Sequence, residues 1–105
     1  MYFITVFEKC ELNKTGFPDM GVQRTCGYYR DHITAVYALH ENWTDMREGM
    51  YDYALIEDIE EGLAPYILDR QWFKWYDERK GYFEIDDPEC VKYLMNFALG
   101  GCNYK

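Results

Sequence analysis

Short segments rich in apolar residues are separated by polar segments along this chain, a pattern typical of β-strands separated by turns. In residues 2–9, β-branched and aromatic side chains occupy both alternating sets of positions, so we expect a strand that is covered on both faces. Residues 13–21 are rich in glycine, proline and aspartate and predict a loop. Residues 22–29 predict a second strand, in which Gly27 indicates a bulge or a close backbone approach. One face of this strand is expected to carry Val22, Arg24, Cys26 and Tyr28.

A helix is expected next, because Asp31 is a typical N-cap residue and neither glycine nor proline follows it as far as about residue 42. The spacing of apolar positions predicts a buried stripe composed of Ile33, Val36, Leu39, His40 and Trp43. His32 and His40 are eight positions apart, too far for the spacing that places two imidazoles on one metal ion. We therefore expect His40 to be a buried or half-buried residue of the helix face.

The second half of the chain predicts three more strands. In residues 51–60 an apolar set of alternate positions faces a set that is largely acidic, which indicates a half-exposed strand whose acidic side chains mostly face solvent. Residues 71–76 and 82–85 flank a five-residue loop at 77–81 that ends in a permissive glycine, as expected for a β-hairpin.

A second helix is predicted to begin at Asp87-Pro88, an N-cap residue followed by proline, and to end before Gly100-Gly101. Its buried stripe is expected to consist of Val91, Leu94, Met95 and Ala98. The predicted order is strand, strand, helix, strand, hairpin, helix. This order favours a single two-layer α+β domain over residues 1–105, with a mostly antiparallel sheet of about five strands and two helices.

The composition fits a small folded protein. The 105 residues are 49% hydrophobic and 19% aromatic, which supports a core and excludes a disordered acidic tail. Neither a transmembrane run nor the features of a secretory signal are found, so a cytoplasmic location is expected. Serine is absent, which excludes a serine nucleophile. No metal-binding pair occurs among Cys10, Cys26, Cys90 and Cys102, and we expect all four to be reduced, mostly buried residues of a cytosolic protein.

The charge is strongly acidic, with a net value of −8. Between residues 41 and 61, eight acidic side chains accompany a single basic one, Arg47. Direct nucleic-acid binding is disfavoured, because it requires a basic surface. Two interpretations remain open for this acidic segment. It either maintains solubility or meets a basic surface of a partner protein.

Two segments combine basic and aromatic residues and are the candidate ligand-binding sites. The first comes directly before the first helix and contains Arg24, Tyr28, Tyr29 and Arg30. The second is the predicted hairpin, with Trp72, Lys74, Trp75 and Arg79. Guanidinium groups pair with phosphates, and aromatic rings stack on bases. The alternative is an aromatic core fringed by ordinary cationic side chains. Since no nucleophile–base pair or metal cluster is evident, we expect no catalytic residue, no metal and no cofactor.

Several short motifs are shared with other proteins: Met1-Tyr2-Phe3-Ile4-Thr5, Arg24-Thr25 with Gly27-Tyr28-Tyr29, Asn42 with Asp45-Met46-Arg47-Glu48, Tyr53-Ala54 with Ile56-Glu57, Gly62, Trp72-Phe73-Lys74-Trp75, and Glu84-Ile85 with Pro88. In these motifs the chain resembles a group of short uncharacterised proteins from Gram-positive gut bacteria and their phages. The group has no established activity, so no functional residue is transferred. The resemblance implies a small accessory gene, often on a mobile element, and phage genes of this size frequently encode proteins that disarm host defences.

The sequence therefore predicts a small non-catalytic binding protein that sequesters a nucleotide-like anionic ligand, and the resemblance implies a role as a phage or mobile-element anti-defence factor. The two basic-aromatic segments would form opposite walls of the site, and a second copy of the chain is another source of such a wall. The alternative is an acidic protein-interaction inhibitor that blocks a basic, nucleic-acid-binding surface of a host defence protein. Neither hypothesis involves direct contact with nucleic acid or membrane.

Overall fold

The computed structural model describes residues 1–63, 67–88 and 97–98. Within these residues the chain forms strands, one α-helix and a short 3₁₀ helix at Trp43–Asp45. The other elements are β1 (Tyr2–Phe7), β2 (Glu11–Leu12), β3 (Pro18–Asp19), β4 (Gln23–Tyr29), α1 (His32–His40), β5 (Tyr53–Ile59), β6 (Ile67–Tyr76) and β7 (Gly81–Ile85).

Five strands form one antiparallel sheet in the order β4-β1-β5-β6-β7, and α1 packs on one of its faces. The short strands β2 and β3 pair separately, beyond the ends of β1 and β4. This arrangement confirms the predicted antiparallel sheet and its first helix. The second predicted helix lies outside the described residues except for Phe97 and Ala98. No helix in the described ranges is long and apolar enough to cross a membrane.

β1 is buried on both faces, as its sequence predicts. Ile4 and Val6 face α1, and Thr5 and Phe7 are buried on the opposite side. The prediction of a half-exposed strand at residues 51–60 is wrong, because β5 lies at the centre of the sheet and is covered on both faces. Consecutive buried residues of this strand are Ala54, Leu55, Ile56 and Glu57.

The first helix begins where the sequence predicts. Asp31 is its N-cap, and the Oδ2 atom accepts hydrogen bonds from the backbone N–H and the hydroxyl of Thr34, at 2.9 and 2.7 Å. The helix ends at His40, and Asn42 follows with a left-handed backbone at φ 50°. His40 is half-buried and stacks on Phe83 with 4.7 Å between ring centroids, as expected for a residue of the helix face.

The predicted apolar stripe of α1 is wrong in part. The buried side chains are Ala35, Ala38 and Leu39, while Ile33 is 64% exposed. Alanine is small enough to let the helix backbone approach the sheet closely. The helix therefore contacts the sheet through its alanine side, which turns Ile33 toward solvent.

Glu57 is the one acidic residue that the described structure buries completely. Its carboxylate accepts hydrogen bonds from the backbone N–H groups of Phe97 and Ala98, each at 3.0 Å, and lies 3.5 Å from Nε of Arg70. Burial raises the pKa of Glu57 above its usual value, against the lowering effects of these N–H groups and of Arg70. The expectation that the acids of this strand face solvent is therefore wrong for Glu57.

The raised pKa of Glu57 predicts a pH-dependent contribution to stability. The folded protein holds this proton more tightly than the unfolded chain, so the stabilising contribution is complete at low pH and is lost as the pH rises through the folded-state pKa. We expect the wild type to lose unfolding free energy relative to Glu57→Gln as the pH rises above about 4, the range in which the unfolded carboxyl group ionises before the folded one. Urea unfolding of both proteins across this interval measures the difference. A difference that stays constant with pH would contradict the prediction.

Candidate functional site

β4 is an edge strand with a β-bulge in its middle. Ile4 of β1 pairs with Gly27 and Thr5 pairs with Thr25, so Cys26 is an extra residue in the ladder. Gly27 has φ 153°, a backbone conformation that other residues rarely adopt. The bulge that Gly27 predicts is therefore present.

The bulge changes which side chains of β4 share a face. Arg24 pairs with Val6 and lies on the α1 side, as does Tyr29. Tyr28 pairs with Phe3, and its ring packs against Phe3 on the opposite side with 5.3 Å between centroids. The prediction that Arg24 and Tyr28 share one face is wrong, because one extra residue reverses the alternation of the strand.

Residues 42–49, called the turn segment below, connect the end of α1 to the chain that leads into β5. Five of its backbone positions have positive φ: Asn42, Thr44, Asp45, Glu48 and Gly49. Such values are uncommon for residues other than glycine and unfavourable for the β-branched threonine. Strained backbone of this kind concentrates at functional sites.

Hydrogen bonds and burial hold the turn segment in this conformation. The Asn42 side chain accepts a bond from the backbone N–H of Arg47 at 3.0 Å and donates to Asp45 at 3.1 Å. Met46 is buried in the core beneath α1. The segment is therefore an anchored wall beside β4, since its own side chains and the core determine its shape.

A cleft of about 300 Å³ lies between β4 and the turn segment. We call it the β4 cleft, and it is lined by Ile4, Cys26, Gly27, Tyr28, Tyr29, Ala38, Trp43, Thr44 and Met46. The rings of Tyr29 and Trp43 meet edge to face with 6.1 Å between centroids, one from each wall. A cleft with aromatic groups on both walls is suited to a planar ring system.

An ion pair joins the same two walls. Arg24 of β4 donates from Nη1 to Oε2 of Glu48 in the turn segment. Arg30, which directly follows β4, has an exposed side chain. The Cys26 thiol lines the cleft, and burial raises its pKa despite the opposing effect of Arg24. This thiol is therefore protonated at neutral pH and is a poor nucleophile.

The two predicted ligand-binding segments do not meet. β1 and β5 lie between β4 and β6, which separates β4 from β6 by about 14 Å. Trp72 is only 2% exposed and packs against Phe7 on the face away from α1. Lys74 lies over the ring of Tyr53. A ligand in the β4 cleft cannot reach these side chains in the same copy.

The remaining hairpin residues contact other hairpin residues and, in the case of Trp75, Arg47 of the turn segment. Trp75 donates from Nε1 to Asp77 at 2.7 Å and lies under the guanidinium of Arg47 at 4.6 Å. The guanidinium of Arg79 is 4.2 Å from the ring of Phe83. Of the predicted residues, Tyr29 faces the β4 cleft, whereas Tyr28 borders it with its ring on the opposite face of the sheet. Arg24 lies on the same strand, and Arg30 directly follows it.

The sequence does not predict the second wall of the cleft. Trp43 was expected on the stripe of the first helix, and no ligand-binding role was expected for Thr44, Met46 or Glu48. Asn42 and Gly49, the residue types that most readily adopt a left-handed backbone, bracket the turn segment and are the local signal for it.

Several acidic side chains of segment 41–61 are engaged in contacts within the chain, so the segment presents less negative charge than its sequence suggests. Glu41 accepts from Nε1 of Trp43 at 2.7 Å, and Asp52 accepts from Arg47 at 2.9 Å. Asp58 lies 3.6 Å from the N-terminal amino group. In addition, Glu48 is paired with Arg24 and Glu57 is buried. Much of the negative charge of this segment therefore lies in contacts within the protein.

Across residues 1–63, 67–88 and 97–98, no group of three or more His, Cys, Asp or Glu side chains is placed to hold a metal ion. The structural candidate is therefore the β4 cleft with its adjacent Arg24. No protein-family model, curated protein or solved structure that was compared with this chain matches it.

Proposed function

We propose that this protein binds a small nucleotide-like anionic ligand in the β4 cleft and catalyses no reaction on it. The observation that carries the proposal is the meeting of Tyr29 and Trp43 at a cleft whose walls are joined by Arg24. Aromatic rings stack on any base, and a guanidinium group forms charge-assisted hydrogen bonds to phosphate. Both interactions are available from one side of β4.

The size of the cleft limits what it accommodates. Its volume of about 300 Å³ is at the lower end of the range for small-molecule sites. We therefore propose that one ring system enters the cleft and packs beside the contacting rings of Tyr29 and Trp43. The anionic group would lie outside the cleft, near Arg24 or Arg30.

The biological role is proposed from the resemblance to phage and gut-bacterial proteins. A cytoplasmic, non-catalytic protein of this kind would act as an anti-defence factor by sequestering a nucleotide signal. Because the hairpin residues of the same copy lie too far away, a further wall would require a second copy of the chain at the exposed edge strand β4. The stoichiometry of ligand and protein in native mass spectrometry measures this directly.

The alternative is an inhibitor that presents the acidic segment 41–61 to a basic surface of a host defence protein. The contacts of Glu41, Glu48, Asp52 and Asp58 use part of this charge within the chain. No contact among the described residues specifically favours this function over the cleft. Strongly salt-sensitive association with a basic protein would support it.

Arg24→Ala is expected to weaken ligand binding about 10- to 100-fold, because it removes a charge-assisted hydrogen bond to the anionic group. The fold is expected to remain intact, since the Arg24 side chain is about half exposed. Native mass spectrometry with mononucleotides, cyclic nucleotides and ADP-ribose identifies a bound species, and its titration measures the affinity of each variant.

Lys14→Ala is the control, because it also removes one positive charge, from an exposed loop residue that does not line the β4 cleft. It is expected to bind as the wild type does. Unchanged affinity in a folded Arg24→Ala protein would contradict the proposed anion contact. Apo protein throughout the panel would count against the proposed function itself.

A further inference from the structure

We infer that Glu48 is a specificity-determining residue of the β4 cleft. Its carboxylate pairs with the Arg24 guanidinium group, to which the anionic group of a ligand would otherwise bind. The inference rests on the proposed function and concerns its selectivity. A ligand must then bring both a ring for the cleft and an anion strong enough to displace Glu48 from Arg24.

The Arg24–Glu48 ion pair lies next to the β4 cleft. Arg24 precedes the cleft residue Cys26 by two positions on β4, and both lie on the α1 side of the sheet. Glu48 follows the cleft residue Met46 by two positions in the turn segment. The pair therefore connects the two walls next to the cleft, where a group extending from a bound ring would arrive.

The backbone of the turn segment directs Glu48 toward β4. Glu48 has a left-handed backbone at φ 51°, and its N–H donates to the carbonyl of Asp45 at 3.1 Å. A left-handed conformation is unfavourable for glutamate, and loop stability alone would be better served by glycine or asparagine. The Glu48 carboxylate, which neither glycine nor asparagine would supply, forms an ion pair with Arg24.

The pair is accessible and can be exchanged. The side chains of Arg24 and Glu48 are 48% and 43% exposed, so a dissolved anion reaches both. Exposed ion pairs contribute little to folding, whereas phosphate accepts stronger, bidentate hydrogen bonds from a guanidinium group. A phosphate held in place by a stacked ring therefore competes with Glu48, while a weakly bound free anion does not.

The cation of the turn segment, Arg47, does not take the place of Arg24. Arg47 belongs to the same turn segment, but it is bound to Asp52 and stacked over Trp75. The state of the Arg24–Glu48 pair therefore determines whether the guanidinium group of Arg24 is available to a ligand.

The test compares nucleosides with their 5′-monophosphates as probes, using adenosine, guanosine, cytidine and uridine. Glu48→Gln is expected to raise monophosphate affinity about two- to fivefold, the effect of removing one exposed competing ion pair, and to leave nucleoside affinity unchanged. Arg24→Ala combined with Glu48→Gln is expected to abolish the gain. Isothermal titration at fixed salt measures each affinity.

Two further variants keep the result interpretable. Glu78→Gln makes the same change in net charge in the exposed β6–β7 loop and is expected to leave all affinities unchanged. Glu48→Asn also removes the carboxylate, and asparagine tolerates the left-handed backbone, so it repeats the test if Glu48→Gln fails to fold.

The outcomes separate this inference from the function on which it rests. Unchanged monophosphate affinity in folded Glu48→Gln and Glu48→Asn, or an equal gain for nucleosides, would overturn the role of Glu48 and leave the β4 cleft as a ligand site. Absence of nucleoside and monophosphate binding in the wild type and in all variants would overturn both proposals. An equal gain in Glu78→Gln would assign the effect to net charge and also overturn the inference.

Discussion

Glu57→Ala is expected to lower the free energy of unfolding by about 3–5 kcal/mol, because it removes the buried side chain on which two backbone N–H groups and Arg70 depend. Glu57 is completely buried, and the Arg70 side chain is only 16% exposed. Nε and Nη2 of Arg70 have no hydrogen-bond partner in the described structure, so the nearby carboxylate is the main compensation for this charge. The backbone N–H groups of Phe97 and Ala98 would lose their acceptor as well.

Urea unfolding followed by circular dichroism measures this loss. Glu61→Ala is the matched control, since Glu61 is exposed just beyond the end of β5, and a change within about 0.5 kcal/mol is expected there. Replacing Glu57 and Arg70 together with methionine should recover most of the loss, because no buried charge then remains. A Glu57→Ala protein as stable as the control would contradict this account of the buried pair.

The burial of Glu57 also determines how the acidic-inhibitor alternative is tested. Charge reversal that includes Glu57 would damage the fold, and any loss of binding would then be ambiguous. Reversal of Asp58, Glu60 and Glu61 to lysine alters the exposed or half-exposed part of the segment and leaves the buried pair in place.

Gly81→Ala is expected to destabilise the protein by about 3 kcal/mol, because β7 and the last turn of α1 are too close for a Cβ atom. A Cβ at Gly81 would lie within 2.7 Å of the carbonyl carbon of His40 and closer still to its oxygen. Both are backbone atoms, so no side-chain rotation relieves the contact. Either α1 must move away from the sheet or the end of the hairpin must shift.

Thermal and urea unfolding of Gly81→Ala measure this effect. Gly16→Ala is the control, because Gly16 has φ 85° and open space around it, so its cost of about 1 kcal/mol comes from backbone strain alone. The Gly81 variant is expected to lose clearly more stability than this control. Equal losses would show that the close approach of α1 is not what requires glycine at position 81.

The hairpin that contains Gly81 was predicted correctly, but the sequence gives only part of the reason for a glycine at this position. The hairpin is present, but the left-handed loop residue is Lys80, with φ 55°, and Gly81 is the first residue of β7. The sequence indicates a turn there, since glycine next to charged residues is typical of one. It does not reveal that a helix backbone lies against this glycine.

Local patterns were sufficient for the strands, the start of α1 and the bulge. The doubly apolar pattern of residues 2–9 predicts burial of β1 on both faces, and the Asp31 side chain caps the helix through bonds within four residues. Gly27 marks the bulge, because its conformation is one that other residues avoid. Each of these features depends on neighbours in the chain, so the sequence alone predicts it.

Only one wall of the candidate site, strand β4, was predictable from the sequence. Arg24, Tyr29 and Gly27 follow from the composition of β4, but the bulge turns Tyr28 to the opposite face, and the far wall comes from a turn segment with little local signature. Tertiary structure alone decided that β5 is central, that Glu57 is buried and that the two basic-aromatic segments lie apart. The physical reason is that these properties depend on strand order and on which residues cover each face, and contacts between residues distant in the chain determine both.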